Sequence, residues 1–171
     1  PRDPSSAASD VYKRQVTGGS RGIGEMITSG FLANNSKVYI TARKEEALVK
    51  KADELSQKYT CECIPVSGDI SNSEGIDALV NVLNDAEPEG IDFLINNAGA
   101  AWGANYDDFP ESGWDKVMDL NLKTPFFLTQ KLTPLLEKKG TTEDPSRVVN
   151  IASIEGLLVP MLDSYSYAAS I

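Results

Sequence analysis

Three glycines, Gly18, Gly22 and Gly24, stand in the run TGGSRGIG at 17–24, and the chemistry they permit is the gripping of a phosphate. Gly18 allows a tight turn out of a strand, Gly22 lets backbone approach a pyrophosphate, and Gly24 lets the next helix pack closely. The N–H groups at that helix start are unpaired and carry positive partial charge, which suits an anion. Such a turn can also be plain structure, but its place before a helix favours a ligand. Further on, Ser153 follows an apolar run and Tyr167 follows fourteen residues later, while Asn121 interrupts an apolar helical stretch. Hydroxyls of this kind can polarise a carbonyl and protonate the alkoxide it becomes. The chain has no histidine, so neither a Ser-His-Asp triad nor a His-ligated metal is available to it.

These residues must be held by strands and helices, and the sequence alternates the two. Residues 37–41 (KVYIT) read as a strand, and 43–59 have helical spacing at Ala47, Leu48, Ala52 and Leu55. A strand follows at 62–66 and a helix at 73–86, apolar at Ile76, Leu79, Val80 and Leu83. Residues 91–95 (IDFLI) and 147–152 (RVVNIA) are further strands, separated by helical stretches at 111–122 and 126–138. Alternation at this spacing implies βαβ units and a parallel sheet covered on both faces. The fold class is α/β, doubly wound.

The run TGGSRGIG, spaced GxxxGxG, together with Asn96-Asn97-Ala98-Gly99 after the IDFLI strand, resembles the short-chain dehydrogenase/reductase family over about 16–171. The resemblance implies a Rossmann fold and a nicotinamide cofactor. Thr17, Gly18, Ser20, Arg21, Gly22, Ile23 and Gly24 are expected at its phosphates. Asp69 is expected at the adenine amine, and Ile70, Asn97, Ala98 and Gly99 are expected to bind the cofactor as well. For Asp69 a plain helix cap is the alternative reading. The second strand ends in Thr41-Ala42-Arg43-Lys44, with no acid before Glu45. An acid there would favour a ribose 2′-hydroxyl, whereas arginine suits a 2′-phosphate. Arg43 and Lys44, with Arg21, therefore point to NADP(H).

The same resemblance implies that Ser153 and Tyr167 bind the substrate oxygen, that Tyr167 gives the proton, and that Asn121 keeps a relay water. Tyr167-Ala168-Ala169-Ser170 opens the family's YxxxK motif, but the fourth following residue is Ile171, where the family has lysine. An i, i+4 spacing puts Ile171 on the helix face of Tyr167, and isoleucine has no charge to lower a phenol pKa near 10. The chain as written is expected to be a very poor reductase. Truncation of a competent parent is one reading, and a short NADP(H)-binding product without turnover is the other. Residues Ala101 to Gly103 and Ser112 to Met118 look most similar to the branch holding the rhamnolipid-pathway β-ketoacyl reductases. That implies a 3-oxoacyl thioester as substrate, with Leu157, Leu158, Val159, Pro160 and Met161 as an apolar wall.

The totals bound the rest. A chain of 171 residues suits one domain. Sixteen basic against 25 acidic residues, net −9, argue against nucleic acid and anionic membrane as partners. No apolar run approaches the roughly 18–20 residues of a membrane span. Cys61 and Cys63 read as reduced thiols near a sheet, and no metal is expected, which suits a reducing, cytoplasmic setting. The helix at 126–138 resembles the family's subunit-pairing helix, so a homo-oligomer, dimer or tetramer, is expected. Lys13-Arg14-Gln15 fits a buried strand poorly. Residues 1–15 are accordingly expected to lie outside the domain as a non-native or disordered leader, leaving a sheet incomplete at both ends.

Overall fold

The computed structural model describes residues 11–159 and 162–171. Five strands form one parallel sheet in the order β3-β2-β1-β4-β5: β1 (Lys13–Thr17), β2 (Lys37–Ala42), β3 (Cys63–Ser67), β4 (Phe93–Asn96) and β5 (Arg147–Asn150). Helices α1 (Gly22–Ala33) and α2 (Glu45–Tyr59) cover one face, burying Leu32, Leu48, Ala52 and Leu55 against Val16, Val38 and Ile40. The other face carries α3 (Ser73–Ala86) and α5 (Thr124–Lys139), whose Leu79, Leu83, Leu128 and Leu132 pack on Tyr39, Val66 and Leu94. Helix α4 (Glu111–Met118) precedes α5, and α6 (Tyr165–Ser170) packs on α4. The chain reverses its direction of winding between β1 and β4. In open α/β sheets the crevice beyond the carboxyl ends at such a point is where ligands bind.

The structure differs from the sequence reading at the first strand. Lys13, Arg14 and Gln15 occupy the slot itself, paired in parallel with Lys37–Tyr39 of β2, and Arg14 and Gln15 also with Phe93 and Leu94 of β4. The three polar side chains are accommodated separately. The Arg14 guanidinium lies 4.0 Å from the Phe31 ring centroid and 4.4 Å from that of Phe93, so its flat, weakly hydrated cation is held by aromatic faces. Burial lowers its pKa from the ordinary value. Gln15 donates from Nε2 to Thr41 Oγ1 at 2.8 Å, and Lys13 reaches Glu87 at 2.6 Å. The fit is imperfect: Arg14 Nε and Gln15 Oε1 have no partner among the described residues. The leader expected over 1–10 lies outside the described residues.

Other boundaries shift by a residue or two. Helix α2 starts at Glu45, so Arg43 precedes it and Lys44 is its N-cap. The first turn of that helix is acidic, with Glu45 and Glu46, as its dipole prefers. Cys63 is buried in β3, while Cys61 lies before the strand, half-buried. Burial pushes the Cys63 thiol up to about 12.

Candidate active site

Three turns meet along the carboxyl edge of the sheet because parallel pairing aligns the strand ends. Thr17 is in register with Thr41, and Gly18 N–H donates to Thr41 O at 2.8 Å. One strand further out, Gly68 N–H donates to Ala42 O at 3.1 Å. The glycine turn, the Arg43-Lys44 pair and the Asp69 loop are thus tied in a row.

The glycine turn is held from the side of β4. Thr17 Oγ1 accepts the N–H groups of Asn97 and Ala98, both at 2.9 Å. The Asn97 amide donates to Thr17 O at 2.9 Å and to Gly18 O at 3.3 Å. Asn97, expected at the cofactor, spends its side chain on the shape of the turn. Gly24 is required by space: a Cβ there would stand 2.1 Å from Gly18 O. Gly22 is required by conformation, with φ +55, and the space a Cβ would enter is open for 4 Å. That open side faces outward beside the first N–H groups of α1, a geometry suited to a phosphate. Gly19, which sequence reasoning passed over, packs with no room to spare against Ile40.

Arg21, Arg43 and Lys44 are exposed, and none forms a salt bridge among the described residues. Asp69 does not cap α3; Asn72 does, accepting from Gly75 N–H at 2.8 Å. Asp69 instead closes its own loop, with Oδ1 taking Ser71 N–H at 3.1 Å and Ser71 Oγ at 2.7 Å. Burial works to raise its pKa, but the Ser71 bonds and the Arg43 charge outweigh it and hold the carboxyl below its ordinary value. Ile70 is buried in the core, and Ser20 is half-buried in the turn.

Beyond β4 and β5 lies a cleft of about 970 Å³, lined among others by Ile23, Asn97, Ala98, Gly99, Asn121, Tyr167 and Ile171. Asn121 sits on a π-helical turn, Asp119–Lys123, between α4 and α5; such bulges often mark functional positions. Its amide makes three hydrogen bonds within the protein. Oδ1 accepts Ala100 N–H at 2.8 Å, and Nδ2 donates to Ala100 O at 2.9 Å and to Ser170 Oγ at 3.0 Å. Ser170 in turn donates to Tyr167 O at 2.9 Å. Asn121 therefore links the loop after β4 to the helix that carries Tyr167. Ile171 shares the wall with Tyr167, as the i, i+4 spacing implies.

Ser153 is not among the residues lining this cleft. It caps the turn Ile154–Gly156, accepting from Glu155 N–H at 3.3 Å. Leu157, Leu158 and Val159 are exposed, at 83%, 62% and 92%, so no wall is built from them here; Pro160 and Met161 lie outside the described residues. Sequence reasoning named Asn96 and Ser170 only as members of their motifs and gave them no role; Asn96 Nδ2 donates to Thr129 Oγ1 and Asn150 Oδ1 along the cleft. Only the hydrogen-bond partners distinguish these two.

A family model described as short chain dehydrogenase matches residues 15–170. The rhamnolipids-biosynthesis 3-oxoacyl-[acyl-carrier-protein] reductase of Pseudomonas aeruginosa is 42% identical over 155 residues, covering 91% of this chain and 59% of that protein. The solved RhlG/NADP active-site complex from the same organism superposes with a TM-score of 0.88 at 40% identity, covering 93% of this chain and 61% of that one. A metagenomic short-chain oxidoreductase in complex with NADP gives 0.82 at 30% identity, with 93% and 69% covered. The chain spans about three fifths of the length of the curated relatives it matches first.

Proposed function

The chain belongs to the short-chain dehydrogenase family, and from that premise we propose that it binds NADP(H) along the carboxyl edge of its sheet. The whole protein, on this reading, reduces a carbonyl of the 3-oxoacyl thioester class. The observation that carries the proposal is the glycine turn, clamped by Asn97 and open at Gly22 where a pyrophosphate needs the room. Arg21, Arg43 and Lys44 supply exposed cations with no salt bridge among the described residues, and no acid stands at the end of β2 to repel a 2′-phosphate. The related P. aeruginosa structure is an NADP complex, which supports the same choice.

The nucleotide, when bound, supplies the hydride. The chain's own residues handle the oxygen. Tyr167, on the cleft wall, is the proton donor to the alkoxide. Ser153, which stands outside that cleft in the structure, accepts one N–H bond; its role at the substrate carbonyl rests on the family resemblance alone. Asn121, whose amide is committed within the protein, acts by holding Tyr167 and the loop after β4 in place. Exposed Phe126 and Phe127 on α5 offer a face for pairing two copies; sedimentation of the whole protein at micromolar concentration, giving only monomer, overturns that part.

The test is titration of the chain with NADPH and with NADH, followed by nicotinamide fluorescence. NADPH is expected to bind at least about tenfold tighter, the factor of one charge-assisted contact; equal affinities refute the cofactor choice. A second reading rests on Ile171. With isoleucine at 171, where the family's YxxxK motif has lysine, the chain binds the nucleotide without turning a ketone over. Ile171→Lys is expected to leave NADPH affinity within a few-fold and to raise any measurable ketone reduction. No rise would place the deficit elsewhere.

A further inference from the structure

We infer that Thr124 is a positioning residue that joins the Asp69-Ile70 loop to the turn presenting Asn121; this rests on the NADP(H) reading above. Thr124 is the first residue of α5 and 2% exposed. Its N–H donates to Asp119 O, five residues back, which is the bond that makes the turn π-helical. Its hydroxyl lies 2.8 Å from the same carbonyl and 2.6 Å from Ile70 O. One hydroxyl hydrogen is thus shared between two carbonyl oxygens, Asp119 O in its own turn and Ile70 O, 54 residues from Thr124 in sequence.

The consequence is geometric. A π turn inserts one extra residue into a helix, so it changes which side chains face the cleft. Asn121 sits within the insertion and makes its three bonds to Ala100 and Ser170 from there. Were the turn to relax to α-helix, the side chains on one side of it would rotate by about 100° relative to the other. The Thr124 hydroxyl opposes that relaxation and at the same time fixes the backbone of Ile70. Ile70 adjoins Asp69, which closes its own loop through Ser71. A single buried side chain therefore fixes both ends of the proposed nucleotide site, the adenine side through Ile70 and the Tyr167 side through Asn121. Valine matches threonine in shape but lacks the hydrogen, and serine keeps the hydrogen but lacks the methyl.

The test compares the chain with Thr124→Val and Thr124→Ser. Two readouts are taken: amide hydrogen exchange in 69–72 and 119–124 without ligand, and NADPH affinity by fluorescence. Thr124→Val is expected to speed exchange in both segments and to weaken NADPH about two- to tenfold, the range of one net hydrogen bond. Thr124→Ser is expected to stay near the parent in both. Exchange in only one segment, or none, overturns the linkage, as does a serine variant that behaves like valine. If the parent chain does not bind NADPH, the cofactor reading fails, while the exchange comparison still decides the linkage. Parent-like NADPH affinity in Thr124→Val, with the parent binding well, overturns the positioning role.

Discussion

Gly22 and Gly24 stand two residues apart, yet a methyl group on each should fail differently. At Gly24 the added carbon meets Gly18 O at 2.1 Å, and both atoms belong to a turn that Asn97 holds fast. Gly24→Ala is expected to lose about 1–3 kcal/mol or more of folding stability, read from denaturant unfolding. At Gly22 there is room, but φ is +55, so Gly22→Ala costs about 1–2 kcal/mol. Its larger effect is expected on NADPH binding, because the methyl enters the space proposed for the pyrophosphate. Stability and affinity measured on both variants separate the two roles; equal affinity in Gly22→Ala would refute the cradle. Arg43 belongs to the same scale. Arg43→Ala is expected to weaken NADPH about 10- to 100-fold, the worth of a hydrogen bond to a charged group, while leaving NADH nearly unchanged in the same titration.

At the scale of elements, the amino ends of β1 and β2 are tied to the segment after α3 by Glu87. This carboxylate is 2% exposed. It accepts from Tyr39 OH at 2.6 Å and pairs with Lys13 at 2.6 Å and Lys37 at 2.9 Å. Burial works to raise its pKa, but the bonds from Lys13, Tyr39 and Lys37 prevail and hold it below the ordinary value of 4.5. The same burial, with Glu87 beside it, pushes the Tyr39 phenol up to about 12. A carboxyl lowered by folding contributes stability that is complete above its unfolded pKa and is lost as pH falls through its folded pKa. Glu87→Gln is therefore expected to cost about 2–3 kcal/mol at pH 7. That is below the usual loss for a broken buried pair, because the lysines keep partial exposure. The difference from the parent should shrink as pH drops below 4.5. Thermal melts at stepped pH check this, and a pH-independent gap would show that packing rather than charge holds the strands.

At the scale of the whole chain, β5 is the outer strand of the sheet among the described residues, and its Val148 and Val149 are each 40% exposed. Leu157, Leu158, Val159 and Leu162, which follow β5 in sequence, are exposed as well. An edge strand with apolar side chains on both faces invites pairing with another chain. Prepared as these 171 residues alone, the polypeptide is expected to self-associate with rising concentration, and Val149→Lys to reduce this at unchanged melting temperature. Light scattering that shows no difference would move the contact elsewhere.

The sequence alone determined the doubly wound class, the helix over 73–86 and the glycine turn, because these depend on local periodicity and on backbone freedom that only glycine has. It also singled out Asn97, Asn121 and Tyr167, because distinctive types at family spacing survive as text. Lys13 to Gln15 read as a poor fit to a buried strand, yet the structure pairs them there, since a strand's tolerance for polar side chains depends on distant neighbours, here Phe31, Phe93, Thr41 and Glu87. Asp69 was open between two roles until Asn72 proved to be the cap of α3. That Asn97 clamps the glycine turn, that Ser170 bridges Asn121 to Tyr167, and that Thr124 closes the π turn were decided by tertiary structure alone. Each involves a hydrogen bond made across dozens of residues, Asn97 to Thr17, Asn121 to Ser170 and Thr124 to Ile70, and no composition or period announces it.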